Sequence, residues 1–257
     1  MMPRLRFLMR PRLLAAASTL VLAGALAGCS PAPPGVEIWD PFEDENRARH
    51  RANLDLDDLI AGEGEGGLAA FPAPLRRGAA NFAANAGGPA DVLNYLLQGR
   101  PAHAAGTTLR FVLNSTVGLA GLFDPATALG MEGRRTDFGE TLHVWGAPEG
   151  AYLELPLLGP STERDAFGMI VDLAIDPLNT LRPPGLRNRA LVARTGARGL
   201  ARIGDRVEYS EMFDALIGES ADSYAQARLL YLQNRRFVLG GEASIPDFDP
   251  YEDLHGD

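Results

Sequence analysis

The sequence predicts a mainly α fold, a single domain of short amphipathic helices. Three observations carry that expectation. Apolar residues recur at helical spacing in segment after segment, proline and glycine stand where short helices begin and end, and no run alternates with the period of two that a half-buried strand requires. The 257 residues allow one large domain or two small ones, and an apolar fraction of 46% is enough for a sizeable core. No internal repeat is visible.

The N-terminus is organised as a leader. Arg4, Arg6, Arg10 and Arg12 precede a charge-free apolar run over 13–27 that ends Leu26-Ala27-Gly28-Cys29. A basic start, an apolar middle of this length and small residues at the end describe a secretory signal peptide over 1–28. A bilayer span needs roughly 20 apolar residues, more than this run supplies. Cys29 is the only cysteine, so no intrachain disulfide can form. Leu-Ala-Gly-Cys is the bacterial lipobox, in which Cys29 becomes the lipidated first residue of the mature chain. Two or more acyl chains, at about 0.8 kcal/mol per buried methylene, give stable anchoring. Residues 29–39 then form a Pro-rich tether, and Ser30 after the cysteine favours the outer membrane over the inner. Without the leader, 20 basic residues face 33 acidic ones, a balance that excludes nucleic acid as a partner.

Beyond the tether, Trp39 and Phe42 are placed to lie at a membrane–water boundary. A helix over 43–60 follows, with Arg47, Arg49 and Arg51 early and Asp55, Asp57 and Asp58 late. That order opposes the helix dipole and predicts a weak helix. Gly62-Glu63-Gly64-Glu65-Gly66-Gly67 matches G-x-G-x-x-G in form, but no strand precedes it and two glutamates would repel a pyrophosphate, so it reads as a loop. A short helix around 75–84 leads into a helical hairpin. Its first helix opens at Pro89 and is closed by Gly99, and its second opens at Pro101.

In both helices of the hairpin the polar residues form a stripe. Asp91, Asn94 and Gln98 share one face of the first, away from Val92, Leu93, Leu96 and Leu97; His103, Thr107, Arg110 and Asn114 share one face of the second, away from Leu109, Val112, Leu113, Thr116 and Ala120. A polar stripe of this kind belongs either to an ordinary surface helix or to a helix in a lipid-facing shell whose wet side meets an internal channel. The uncharged segment Gly118-Leu119-Ala120-Gly121-Leu122-Phe123-Asp124 is a buried loop in water or a re-entrant turn beside lipid. Composition leaves both open.

Residues 136–145 form a further helix, and 150–160 are extended and bounded by prolines. Ser161 and Thr162 cap a helix whose apolar stripe is Phe167, Ile170, Val171 and Ala174 and which Pro177 ends. Helices over 186–203, 206–217 and 223–239 complete the domain, the first with a basic stripe of Arg187, Arg194, Arg198 and Arg202 that either is solvated or meets phosphate or an acidic partner. The tail over 240–257 is acidic and base-free, and it reads as disordered.

Enzyme chemistry finds little footing. The lone cysteine is consumed by the lipobox, His50, His103, His143 and His255 are scattered, and neither H-E-x-x-H nor G-x-S-x-G occurs. No metal or cofactor is expected. Glu140 and His143, three apart on a helix, are the one candidate acid–base pair, the basis for a hydrolase reading.

The same stretches, in order, resemble the MlaA (VacJ) family of outer-membrane lipoproteins: Asp40-Pro41 with Glu43 and Asn46-Arg47, Asn81-Phe82 and Asn85, Asn94-Tyr95-Leu96-Leu97-Gln98-Gly99, Arg110 through Gly118, Gly121 through Asp124, Thr136 through Leu142, Gly150 through Leu153, and Leu155 through Thr162 with Arg164-Asp165 and Gly168. The resemblance covers 40–239. It implies a ring of helices around a central channel, lying in one membrane leaflet on the periplasmic face of the outer membrane. It also implies removal of mislocalised phospholipid from the outer leaflet and its delivery to a soluble periplasmic carrier of the MlaC type, beside a trimeric porin. On that reading Asp91, Asn94, His103, Thr107, Arg110 and Asn114 line the lipid path, and Gly118, Gly121 and Asp124 belong to a loop at its side. The sequence departs from the family after Asn46-Arg47, where Arg-Ala-Arg-His-Arg-Ala-Asn stands in place of aromatic and apolar residues. A lipoprotein scaffold, or a divergent paralogue without transport activity, is the rival reading.

Overall fold

The computed structural model describes residues 31–61, 72–131, 133–180 and 220–240, together with the single positions 196 and 217. The leader over 1–28, Cys29, the glycine–glutamate loop, the basic stripe of Arg187, Arg194, Arg198 and Arg202, and the acidic residues of the tail lie outside the described residues. Within them the chain is mainly helical, in line with the sequence.

Helix α1 runs Glu43–Ala61. It is more regular than its charge order predicts, because Glu43, Asp44 and Glu45 occupy the first turn, where acids oppose the positive end of the dipole. Tertiary bonds also hold it. The amide of Asn46, fully buried, donates to Asp40 Oδ1 at 2.9 Å and to the Tyr152 carbonyl at 3.1 Å, while its oxygen accepts from the Glu154 N–H at 2.9 Å. Arg47 grips Asp222 through two bonds of 2.8 Å.

Helix α2 is one continuous element, Ala73–Leu97, with Pro89 inside it. The predicted break between a short helix at 75–84 and a second starting at Pro89 is therefore corrected. Proline normally pushes its predecessor out of the helical region by clashing with that residue's Cβ. Here the predecessor is Gly88, which has no Cβ, and the space is filled by Phe111, whose ring and Cβ lie 3.3–3.6 Å from where a Gly88 Cβ would stand. The helix closes as predicted at Gly99, with φ of +70°. Helix α3, Pro101–Thr116, has proline in its first turn and turns back along α2 to form the most extensive helix–helix contact described.

A tight loop leads to α4, Pro125–Ala128, capped by Asp124, and an irregular stretch leads to α5, Phe138–Val144, capped by Asp137. The segment predicted only as extended is an antiparallel hairpin, β1 Tyr152–Leu155 and β2 Gly159–Thr162, with Tyr152 opposite Thr162. Each strand has four residues, too few to display an alternation. Thr162 caps α6, Glu163–Ile175, as its sequence announces. The predicted apolar stripe shifts, however: Phe167, Val171 and Ile175 pack against Phe138, Leu142 and Ala147, whereas Ile170 and Ala174 are exposed. Helices α7, Pro177–Thr180, and α8, Ser223–Val238, complete the described elements.

The apolar core is small and divided. One cluster joins α5 and α6; the other joins Tyr152, Tyr224 and Leu232 across β1 and α8. Among the fully buried side chains polar ones are frequent, including Asn46, Asn94, Glu140, Thr141, Glu154 and Asp176.

Candidate functional site

The helical hairpin α2–α3 is turned inside out relative to a helix of a water-soluble domain. On α2, Asp91, Asn94 and Gln98 are buried while Leu96 and Leu97 are exposed. On α3, Asn114 is buried, but Leu109 is 58% and Val112 49% exposed. The outward apolar surface continues through Val117, Leu119, Leu122, Phe123 and Leu129. The hydrophobic effect would place these groups inside if water were the only solvent.

Between α2 and α3 lies a cavity of about 150 Å³. Five of the residues singled out in the sequence line it: Asp91, Thr107, Arg110, Asn114 and Asp124. Asn81, Asn85, Arg134 and Arg135 join them. The two asparagines were legible in principle, since 81, 85, 88 and 91 fall along one face of α2; the two arginines come from an irregular stretch with no periodic signal. Asn94 stands apart, its amide donating to Asp172 at 2.7 Å and its oxygen accepting from Thr141 at 2.9 Å. His103 also stands apart, exposed and stacked on Tyr95 with ring centroids 5.3 Å apart.

The charges in the cavity are unevenly matched. Arg110 bonds Asp124 at 3.0 Å, Thr127 at 3.2 Å and the Met131 carbonyl. Asn114 donates to Asp124 at 2.9 Å and accepts from the Ala126 N–H. Burial pushes the Asp124 carboxyl up, but the hydroxyl and N–H of Thr127, the Asn114 amide and the Arg110 guanidinium outweigh it, leaving Asp124 below the usual carboxylate range. Asp91 has a thinner cradle, the charge of Arg135 and the N–H of Thr136. Burial pushes it up to about 7, and the nearby Asp172 adds to the rise against a partial offset from Arg135. It therefore changes charge near neutral pH.

The loop over 117–123 lies beside the cavity, packed on the lining residues Asn81 and Asn85, and is strained. Leu119 and Ala120 have φ of +51° and +61°, the left-handed region that side chains other than glycine rarely adopt. Gly118 is obligatory, because a Cβ there would fall inside contact with the backbone carbonyls of Phe123 and Asn114. Gly121 has φ of +92°, and a Cβ on it would meet Asn85 at 2.6 Å. Bonds from Asn81 to the Leu122 carbonyl at 3.2 Å and from Asn85 to Ser115 at 2.9 Å tie α2 to this loop and to the end of α3.

The acid–base pair is not formed. Glu140 is buried against Arg100, Arg134 at 3.0 Å and Thr136 at 2.8 Å, whereas His143 is exposed and makes no hydrogen bond to it. That arrangement removes the basis for the hydrolase reading. Among the described residues no three potential metal ligands converge, and no helix is long and apolar enough to cross a membrane.

Comparison with known proteins places this architecture. A family model described as MlaA lipoprotein matches residues 38–238. The intermembrane phospholipid transport system lipoprotein MlaA of Shigella flexneri is 31% identical over 216 residues, 82% of each chain. Its counterpart from Escherichia coli K12 matches to the same extent, and that from Haemophilus influenzae is 32% identical over 246 residues, covering 90% of this chain and 94% of its own. A chain solved in work on the structural basis for maintenance of bacterial outer membrane lipid asymmetry superposes with a TM-score of 0.63 at 29% identity, covering 78% of this chain and 98% of that one.

Proposed function

The chain belongs to the MlaA lipoprotein family, and from that premise we propose that it is a lipoprotein of an intermembrane phospholipid transport system that maintains lipid asymmetry of the outer membrane. One observation carries the reading: Asp91 of α2 and Thr107, Arg110 and Asn114 of α3 face a cavity, while Leu96, Leu109 and Val112 of the same helices face outward. That arrangement suits a protein solvated by acyl chains, with the polar path inside. The chain is anchored through Cys29 on the periplasmic face of the outer membrane. It takes misplaced phospholipid from the outer leaflet and hands it to a soluble periplasmic carrier, beside a trimeric porin.

In the path, Asp91, Thr107, Arg110 and Asn114 meet the headgroup; Asn94 and His103, which the sequence added to them, lie outside the cavity and have no part in it. A cavity of about 150 Å³ is below the roughly 300–1,000 Å³ of ordinary ligand pockets, so passage needs it to widen, which the loop over 117–123, packed on the lining residues Asn81 and Asn85, allows by moving. Its strained backbone lowers the cost of that motion. No bond is made or broken; the protein supplies a polar route through an apolar barrier.

The test is deletion of the gene followed by measurement of phospholipid on the cell surface. Surface phospholipid and detergent sensitivity should rise, and the wild-type chain should restore both. A Gly121→Val chain that keeps its membrane location should fail to restore them if the protein transports lipid, and should restore them if it is only a scaffold.

A further inference from the structure

A second cavity, of about 380 Å³, lies away from the lipid path, between the end of α5, the loop over 146–149, the first turn of α6 and the end of α8. Its walls include His143, Glu149, Arg164, Arg236 and Leu239. Arg164 is the unusual member. It is only 2% exposed, and its Nη2 has no hydrogen-bond partner. Its ion-pair contact, Nε to Asp165 Oδ1, is long at 3.4 Å. Asp165 is already committed to Arg235, at 2.8 and 2.9 Å, and to the Tyr231 hydroxyl at 2.7 Å. A guanidinium cannot shed its proton to relieve the burial, and a buried N–H left unmade costs free energy that native structures avoid.

The other lining groups leave this charge uncancelled. Glu149 is the acid on the wall, and it is taken by Arg236 through bonds of 3.1 and 2.8 Å. Burial, then the positive charges of Arg164 and Arg235, hold the His143 imidazole below its ordinary value, so it is neutral near pH 7 and can share a hydrogen bond. Close in sequence to these lining groups, Val144, Trp145 and Phe237 are exposed apolar residues.

We infer that this cavity binds a phosphate group, with Arg164 donating to the phosphate oxygens and His143 completing the site. Guanidinium groups match phosphate geometry, and the exposed apolar side chains favour a phospholipid headgroup over free phosphate. The inference does not depend on the transport reading, because it concerns binding at a different place from the Asp91–Arg110 cavity.

The full lipoprotein in maltoside micelles is titrated, with phosphorus NMR as the readout, against inorganic phosphate at constant ionic strength and against dihexanoyl-phosphatidylglycerol. Dihexanoylglycerol, which lacks phosphate, serves as competitor. Wild type should bind both phosphates, the phospholipid at least tenfold more tightly. His143→Glu places a carboxylate on an exposed wall position without disturbing the core, and it should weaken both at least tenfold. Arg164→Lys should do the same, while Arg49→Gln, an exposed α1 position outside both cavities, should leave this binding intact. Binding of inorganic phosphate alone, lost in His143→Glu, would keep the site and discard the lipid as its source. Unchanged binding in His143→Glu and Arg164→Lys, an equal loss in Arg49→Gln, or equal competition by dihexanoylglycerol would each overturn the assignment.

Discussion

The α2–α3 hairpin and the α5–α6–α8 layer use the same helical grammar and bury opposite things. Where α5, α6 and α8 meet, the acid Asp165 is closed in: Arg235 reaches Asp165 and Asp137 at once, and Tyr231 adds its hydroxyl to Asp165, while Arg164 beside them keeps an unbonded Nη2. In the hairpin the polar groups face a void, one of them, Asp91, is poorly compensated, and the apolar groups face out. Both regions expose large apolar side chains, Ile170, Leu173 and Phe237 in the first and Leu96, Leu109 and Val112 in the second, so the contrast lies in the polar groups. The two regions thus differ in how far their buried acids are compensated, Asp165 strongly and Asp91 weakly.

The largest effect should come from breaking the closed region. Arg235→Ala leaves Asp165 buried and under-compensated, and should cost about 3–5 kcal/mol in denaturation experiments. The same variant tests the sign of the pH dependence. Burial raises the Asp165 carboxyl but Arg235, Arg164 and Tyr231 more than reverse this, so its folded value lies below the ordinary one. Its contribution is present above the unfolded carboxylate range and is lost as pH falls through the depressed folded value; in Arg235→Ala that acid-side loss should shrink. Gly168→Ala should cost about 1–3 kcal/mol, since its Cβ would run into the Gly139 backbone where α5 crosses α6.

In the open region the effects on stability are smaller and those on function larger. Gly121→Val forces a β-branched residue to φ of +92° against Asn85, for about 1–3 kcal/mol, and should abolish lipid removal measured as surface phospholipid. Asp91→Asn should raise stability measurably at pH 8 and change it little at pH 4. The sign follows from a folded value raised to about 7. Between the unfolded carboxylate range and 7 the folded state alone keeps the proton, so wild-type stability falls as pH rises through that window. Least of all, Leu109→Gln should shift stability in detergent by no more than about 0.5 kcal/mol, since the side chain is exposed. Its partition into vesicles should nevertheless weaken measurably.

How much of this was legible is clearest from particular residues. Pro101, Gly99, Thr162 and the stripe 103-107-110-114 act through bonds and spacings within a few residues, and the structure keeps their helices where local rules put them. Pro89 misled, because whether a proline breaks a helix here depended on Gly88 and on Phe111 of another helix. The β-hairpin was too short to leave a period. Arg134 and Arg135 reach the cavity from a stretch with no repeating pattern.

The sequence by itself determined the helical class, the caps and the two-faced character of α2 and α3, since these depend on neighbours three and four residues away. Which face turned inward, which acid found an arginine and which was left near neutrality were decided only in the tertiary structure. Burial and charge compensation are properties of groups brought together from distant parts of the chain, as Asp165 and Arg235 are, and no local spacing encodes them.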